Sequence, residues 1–176
     1  DILIEQSGGK KKVRITSVGV PGGMRLTMLF DPESAVLRKP AELGLLDPPQ
    51  MGELRELINQ TVVKNDDDKP IRGVVLLGGQ ADGGRTTAML TVLQMHDAYT
   101  QSVQTLEMEL QGTLEGVRHQ LFDAQAEGAD FSTTVRSMLR RDPDVLGVAE
   151  MPDALTAQMV AKNDHAHVAL ARQIER

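Results

Sequence analysis

The sequence has no cysteine and no tryptophan, and its whole aromatic set is Phe30, Tyr99, Phe122 and Phe131. Without thiols there is no disulfide framework, no thiol chemistry and no Cys-based zinc site. So few rings provide no platform for stacking the bases of a single-stranded nucleic acid. A net charge of −6 argues against a phosphate-backbone partner as well, so no nucleic acid is expected. No apolar run approaches the roughly 20 residues of a membrane span, and no signal peptide is visible. The chain opens at Asp1 rather than Met and stops soon after an apolar run, which leads us to expect a piece of a longer cytosolic protein.

What is present is ordinary for a globular chain. Of the 176 residues, 40% are hydrophobic and 25% charged, enough for one core and part of a second. With rings scarce, that core must rest on Leu, Val, Ile, Met and Ala, and Met108, Met138, Met151 and Met159 are assigned to packing. Residues 10–16 and 24–30 flank Pro21-Gly22-Gly23 and predict a β-hairpin, with Lys10 to Lys12 as a solvated lead-in. An extended connection follows over 35–49, broken by Pro40, Pro48 and Pro49. From Met51 the spacing of Leu54, Leu57, Ile58 and Val62 predicts a helix. Further on, strands are expected at 73–78, 103–108, 145–149 and 167–171. Helices are expected from Thr86, over 131–140 and over 154–161, with Phe131, Val135, Met138 and Leu139 facing inward. Residues 109–128 are polar and carry no clear period. Strands alternating with helices imply βαβ units and a parallel sheet, to which the N-terminal hairpin does not belong.

Two features carry chemistry. A Gly-rich turn, Gly79-Gln80-Ala81-Asp82-Gly83-Gly84-Arg85-Thr86-Thr87, sits between an expected strand and an expected helix. A phosphate-binding loop of this form needs backbone N–H groups curled around phosphate, a cation reaching the β/γ oxygens and a hydroxyl for Mg²⁺. Gly79, Gly83 and Gly84 give the backbone freedom, Arg85 the cation and Thr86 the hydroxyl. The second feature is a carboxylate after each of two strands. Glu150 could hold Mg²⁺ through water beside such a loop, and Glu107 could position or activate a water. Each also has a plain structural reading: a ligand-free strand-to-helix turn, a loop carboxylate near an Asp153 N-cap, and a solvated strand-edge residue. The His165 and His167 pair has no evident third ligand and reads as surface.

The order of these motifs resembles the secretion ATPases of type II secretion and type IV pilus assembly. Arg14-Ile15-Thr16-Ser17 through Leu29-Phe30-Asp31-Pro32 looks like the end of that family's N-terminal domain, and Leu43-Gly44-Leu45 like its linker. Gly79 to Thr87 falls on the Walker A loop, and Thr105-Leu106-Glu107 on the start of the acidic box. The run from Leu139 through Arg140-Arg141-Asp142-Pro143-Asp144-Val145 to Glu150 and Asp153 falls on the approach to Walker B. The resemblance implies an α/β fold: a RecA-like P-loop core with a parallel sheet over 41–176, truncated at its C-terminus. Residues 1–40 would be the end of a β-containing N-terminal domain and its linker. It further implies ATP at Gly79, Gly83, Gly84, Arg85, Thr86 and Thr87, Mg²⁺ at Thr86 and Glu150, and catalytic roles for Glu107 and Glu150. Arg14 would reach a neighbour's nucleotide in trans. The partners implied are inner-membrane subunits of a secretion or pilus machine, with a homo-hexamer or a hetero-hexamer shared with an intact paralogue, and a cytoplasmic location held to the inner membrane through those partners.

Departures from the family pattern gather at the chemistry. Arg85 stands where the family has Lys and Asp82 where it has Gly. The acidic box reads Glu107-Met108-Glu109 rather than Glu-Asp-Pro, and Pro152 interrupts the Walker B pattern. Met28 replaces one arginine, and a histidine box starting at His167 is incomplete. Two readings stay open: a homologue with lost or weak hydrolysis that serves as a structural or regulatory subunit, with ATP and Mg²⁺ held weakly, and an active ATPase driving pilin or pseudopilin assembly.

Overall fold

A computed structural model describes residues 2–6, 9–31, 36–60, 73–80, 83–162 and 167–173. The N-terminal part is an antiparallel sheet of β1 (Ile2–Gln6), β2 (Gly9–Val20) and β3 (Gly23–Phe30). The expected hairpin is there, closed by Pro21-Gly22 with Gly22 at φ +87°, a conformation only glycine adopts without strain. It is longer than its apolar pattern indicated. Lys10 to Lys12 are not a lead-in but part of β2, where Lys10 lies opposite Glu5. Opposite charges facing each other across a pair stabilise a strand that apolar periodicity does not reveal. The connection after β3 contains a short 3₁₀ turn at Pro40–Glu42, in which Lys39 N–H donates to Glu42 Oε2 at 3.0 Å. Helix α1 (Gln50–Gln60) follows, with Met51 and Ile58 buried and Leu57 exposed; Val62 lies outside the described residues.

The larger sheet contains β4 (Val74–Gly79), β5 (Val103–Glu107), β6 (Arg118–Leu121), β7 (Val145–Val148) and β8 (His167–Gln173). Its order is β4-β8-β7-β5-β6, and every pairing is parallel. The chain is therefore α/β with a parallel sheet, as the strand–helix alternation implied. Helices α2 (Arg85–Gln94), α3 (Phe131–Leu139) and α4 (Ala154–Ala161) fill three of the four crossovers, and residues 108–117 join β5 to β6 without a helix. Strands β5 and β7 are buried throughout, as strands covered on both faces should be. The apolar run at 73–78 reads as a short buried strand, but β4 lies at the end of the strand order, and Val74 and Leu76 are exposed. An apolar run does not distinguish a central strand from an outer one.

Alternation along the buried strands divides the core in two. Val103 and Val145 pack with Met89, Leu90 and Leu93 of α2. Leu106, Leu146 and Val148 point the other way, to Phe131, Val135 and Met138 of α3 and Val160 of α4. Phe122 joins this second cluster by an edge-to-face contact with Phe131, centroids 5.1 Å apart. Gly147 lies on the α2 face, where a Cβ would come within 3.0 Å of the Leu93 side chain, so the glycine sets how closely α2 approaches. Of the methionines assigned to packing, Met138 is fully buried and Met151 packs against the α3 cluster. Met108 is a correction: it is 43% exposed, and its contribution is a backbone N–H described below.

This division predicts unequal costs for truncation. Leu106→Ala should lose about 2–5 kcal/mol of unfolding free energy through lost burial and a residual cavity. Leu155→Ala, on an exposed position of α4, should stay within about 0.5 kcal/mol of the parent. Chemical denaturation of the two variants checks both.

Candidate functional site

Because all five strands are parallel, their carboxyl ends share one edge, and the Gly-rich turn is the loop leaving that edge after β4. Gly83 N–H donates to Gln80 O at 3.1 Å. A Cβ on Gly83 would sit 3.0 Å from the same oxygen, so a side chain would push the turn open. Gly84 is the N-cap of α2 at φ +76°, and no described side chain caps this helix. The contrast with its neighbours is informative. Asp130 accepts from Thr133 N–H at the start of α3, and Asp153 accepts from Thr156 N–H at the start of α4. One N–H in the first turn of α3 and one in that of α4 is thus occupied by a side chain, while the first residues of α2 line a cleft of about 280 Å³. That cleft is lined by Gly83, Gly84, Arg85, Thr86 and Thr87, with Val36 and Gln111 across from them. The Arg85 stem folds back over the end of β4, its Cγ 3.2 Å from where a Gly79 Cβ would be. Asp82 lies outside the described residues, as does His165; of His167 only the backbone in β8 is described.

Both carboxylates are at this edge, in different settings. Glu150, two residues past β7, accepts a hydrogen bond from Met108 N–H at 3.1 Å and so ties the β7 end to the segment after β5. Burial pushes its carboxyl above the ordinary Glu range. The Met108 N–H opposes that rise, Glu107 and Glu109 add to it, and Arg85 pulls the other way. Glu107 is 1% exposed. Its Oε1 accepts from Thr105 Oγ1 at 2.7 Å and lies 2.8 Å from His119 Nδ1. Leu114 N–H donates to His119 Nε2 at 2.9 Å, which assigns the ring proton to Nδ1 and makes His119 a donor to Glu107. Strand alternation puts Thr105 and Glu107 on one face of β5, and the β6 register places His119 beside Thr105.

Arg14, on β2, is engaged within its own chain. Its Nη1 is 3.0 Å from Glu109 Oε1, and its Nη2 donates to Leu110 O at 3.0 Å. The sequence reading singled out Glu107, Glu150 and Arg14 but missed Thr105, His119, Val36 and Gln111. His119 was hidden because β6, Arg-His-Gln-Leu, has no apolar alternation; Val36 and Gln111 carry no local motif at all.

The model of the type II/IV secretion system protein family matches residues 4–171. The chain belongs to this family. Among curated relatives, the type II secretion system protein HxcR of Pseudomonas aeruginosa is 28% identical over 92% of the chain and 32% of its own length. The type IV pilus assembly ATPase PilB of Acinetobacter baylyi is 30% identical over 85% of the chain and 24% of its own length. This family member thus spans about a quarter to a third of those relatives. Its fold is that of the Legionella pneumophila ATPase DotB (TM-score 0.67, 18% identity, 99% of this chain and 47% of that one). The pilus retraction motor PilT with bound ADP is also similar (TM-score 0.60, 19% identity, 93% and 48%). Among the described residues no helix is long and apolar enough to cross a membrane.

The raised Glu150 carboxyl has a stability consequence with a definite sign. A carboxyl whose folded value is raised stabilises the fold when protonated and loses that contribution as pH rises through the folded value. Glu150→Gln keeps an acceptor for Met108 N–H and removes the charge. The variant should melt at or above the parent temperature near neutral pH, with the gap closing as pH falls toward the ordinary Glu range, read by thermal melts from about pH 8 to about pH 4. His119→Ala acts oppositely: it leaves the buried Glu107 short of a donor and should cost about 1–3 kcal/mol, read by chemical denaturation.

Proposed function

We propose that residues 41–176 are the RecA-like P-loop core of a secretion- or pilus-assembly ATPase homologue that holds nucleotide weakly and hydrolyses it feebly or not at all, and that residues 1–40 are the end of its N-terminal domain and linker. It would serve as a structural or regulatory subunit of a type II secretion-like machine. Family membership and the cleft at the start of α2 support a phosphate site, since open N–H donors and the helix dipole favour an anion there. Gly83, Gly84, Arg85, Thr86 and Thr87 would contact the phosphates. Thr86 and Glu150 would supply hard oxygens to Mg²⁺, and a divalent cation suits a carboxyl crowded by Glu107 and Glu109. When bound, Mg²⁺ would neutralise charge on the phosphates. No cluster of three metal-ligating side chains exists among the described residues, so most of its shell would be phosphate and water.

Glu107 carries the reading of weak hydrolysis. A group that orients or deprotonates an attacking water must reach it, yet Glu107 is buried and bonded to Thr105 and His119. Arg85 adds to this: a planar guanidinium fork does not replace a compact ammonium at the phosphates. The open α2 N-terminus favours a second reading, an active ATPase driving pilin or pseudopilin assembly. The other subunits of such a machine at the inner membrane, including an intact paralogue in a shared hexamer, would be the partners, and the cytoplasmic side the location.

The test is repair. A carboxylate about 4 Å from a phosphate charge costs roughly 4 kcal/mol at an effective dielectric near 20, so Asp82 in the turn should oppose a triphosphate. Asp82→Gly with Arg85→Lys should raise ATP affinity in a titration while single-turnover hydrolysis stays slow, because Glu107 remains held. Low-micromolar binding and rapid turnover by the unmodified chain would establish the active reading instead.

A further inference from the structure

The far wall of the cleft is built by parts of the chain that the Gly-rich turn does not touch in sequence. Gln111 comes from the segment after β5, and Val36 from the connection after the N-terminal sheet. The two segments meet at the next residue, Gly112, where a Cβ would come 3.1 Å from Leu37 Cδ2 and 3.2 Å from Val36 Cγ2. The connection also runs beside α2: Arg38 O lies 3.2 Å from Thr91 Oγ1, whose proton goes mainly to Thr87 O at 2.7 Å.

Three bonds hold the segment that carries Gln111. Met108 N–H is bound by Glu150, while Glu109 and Leu110 are both bound by Arg14. The Arg14 side chain is 18% exposed, and one guanidinium spans a carboxylate and a backbone carbonyl on adjacent residues. Such a fork fixes the path of a backbone in a way that a single ammonium does not. Gln111 follows directly, with an amide that can donate to a phosphate oxygen.

We propose that Gln111 is a further phosphate-contacting residue of the cleft and that Arg14 is its positioning residue, acting in cis through Glu109 and Leu110. The inference rests on the phosphate-cleft reading above. It replaces a trans role for Arg14 by one within its own chain, and it makes the placing of the N-terminal sheet and the filling of the cleft a single linked event.

Amide hydrogen exchange and ATP titration on the full 176-residue chain test it. With Mg²⁺ and excess ATP, amides of residues 83–87 and of residues 108–111 should gain protection together. Protection at neither would remove the phosphate-cleft reading itself; protection at 83–87 alone would overturn only the role of Gln111. Gln111→Ala should weaken ATP binding about tenfold, as expected for one hydrogen bond to a charged group. Arg14→Ala and Glu109→Gln should each weaken it to a similar degree. Arg14→Ala combined with Gln111→Ala should be no weaker than either alone, since both remove the same contact. Arg14→Lys should recover part of the loss. Unchanged protection of residues 103–106 serves as the check that each variant is folded. Losses that multiply in the double variant, or that depend on protein concentration while Glu109→Gln has no effect, would overturn the cis role and return Arg14 to a neighbouring subunit.

Discussion

Parallel pairing across β4-β8-β7-β5-β6 fixes the direction of every strand in the larger sheet, and with it the edge at which each strand ends. Helices return the chain to the opposite edge after β4, β6 and β7, and the helix-free segment 108–117 does so after β5, so the loops that leave β4, β5 and β7 share one rim. That rim is where open α/β sheets bind ligands. Here it gathers a Gly-rich turn, a helix start that no described side chain caps, two arginines and three carboxylates from segments distant in sequence. No local feature of the chain could bring these groups together. The two packed faces enforce the arrangement, since a shift of one residue in β5 or β7 would exchange the α2 cluster for the α3 cluster.

Gathering charge at a half-buried edge has a cost, and the hydrogen bonds of the site answer it. Glu107 receives donors from Thr105 and His119, Glu150 receives Met108 N–H, and Glu109 is paired with Arg14. The site is therefore stiff around its carboxylates and open at the start of α2. Under the function proposed above, that combination would hold an anion more readily than it would move a proton. The same bonds connect the rim to the N-terminal sheet, so the two sheets are joined by polar contacts at the place where a ligand would sit.

Local signals in the sequence determined a good part of this. Helix α3 was legible because Phe131, Val135, Met138 and Leu139 recur at helical spacing, a statement about residues within a few positions of one another. The Gly-rich turn was legible for the same reason, since φ > 0 at Gly84 and the tight approach at Gly83 are properties of the turn itself. Strands β1 and β6 were not legible: cross-strand partners hold them, and a partner is a fact about the sheet. Nor could an apolar run say that β4 is an outer strand with exposed residues. Glu107 and Glu150 were found as carboxylates following strands, but the sequence was silent on their surroundings. The burial of Glu107, its bond to His119 twelve residues away and the reach of Arg14 to Leu110 across 96 residues were decided by packing alone. Sequence period tells which face a residue takes; only the assembled sheets decide what stands opposite it.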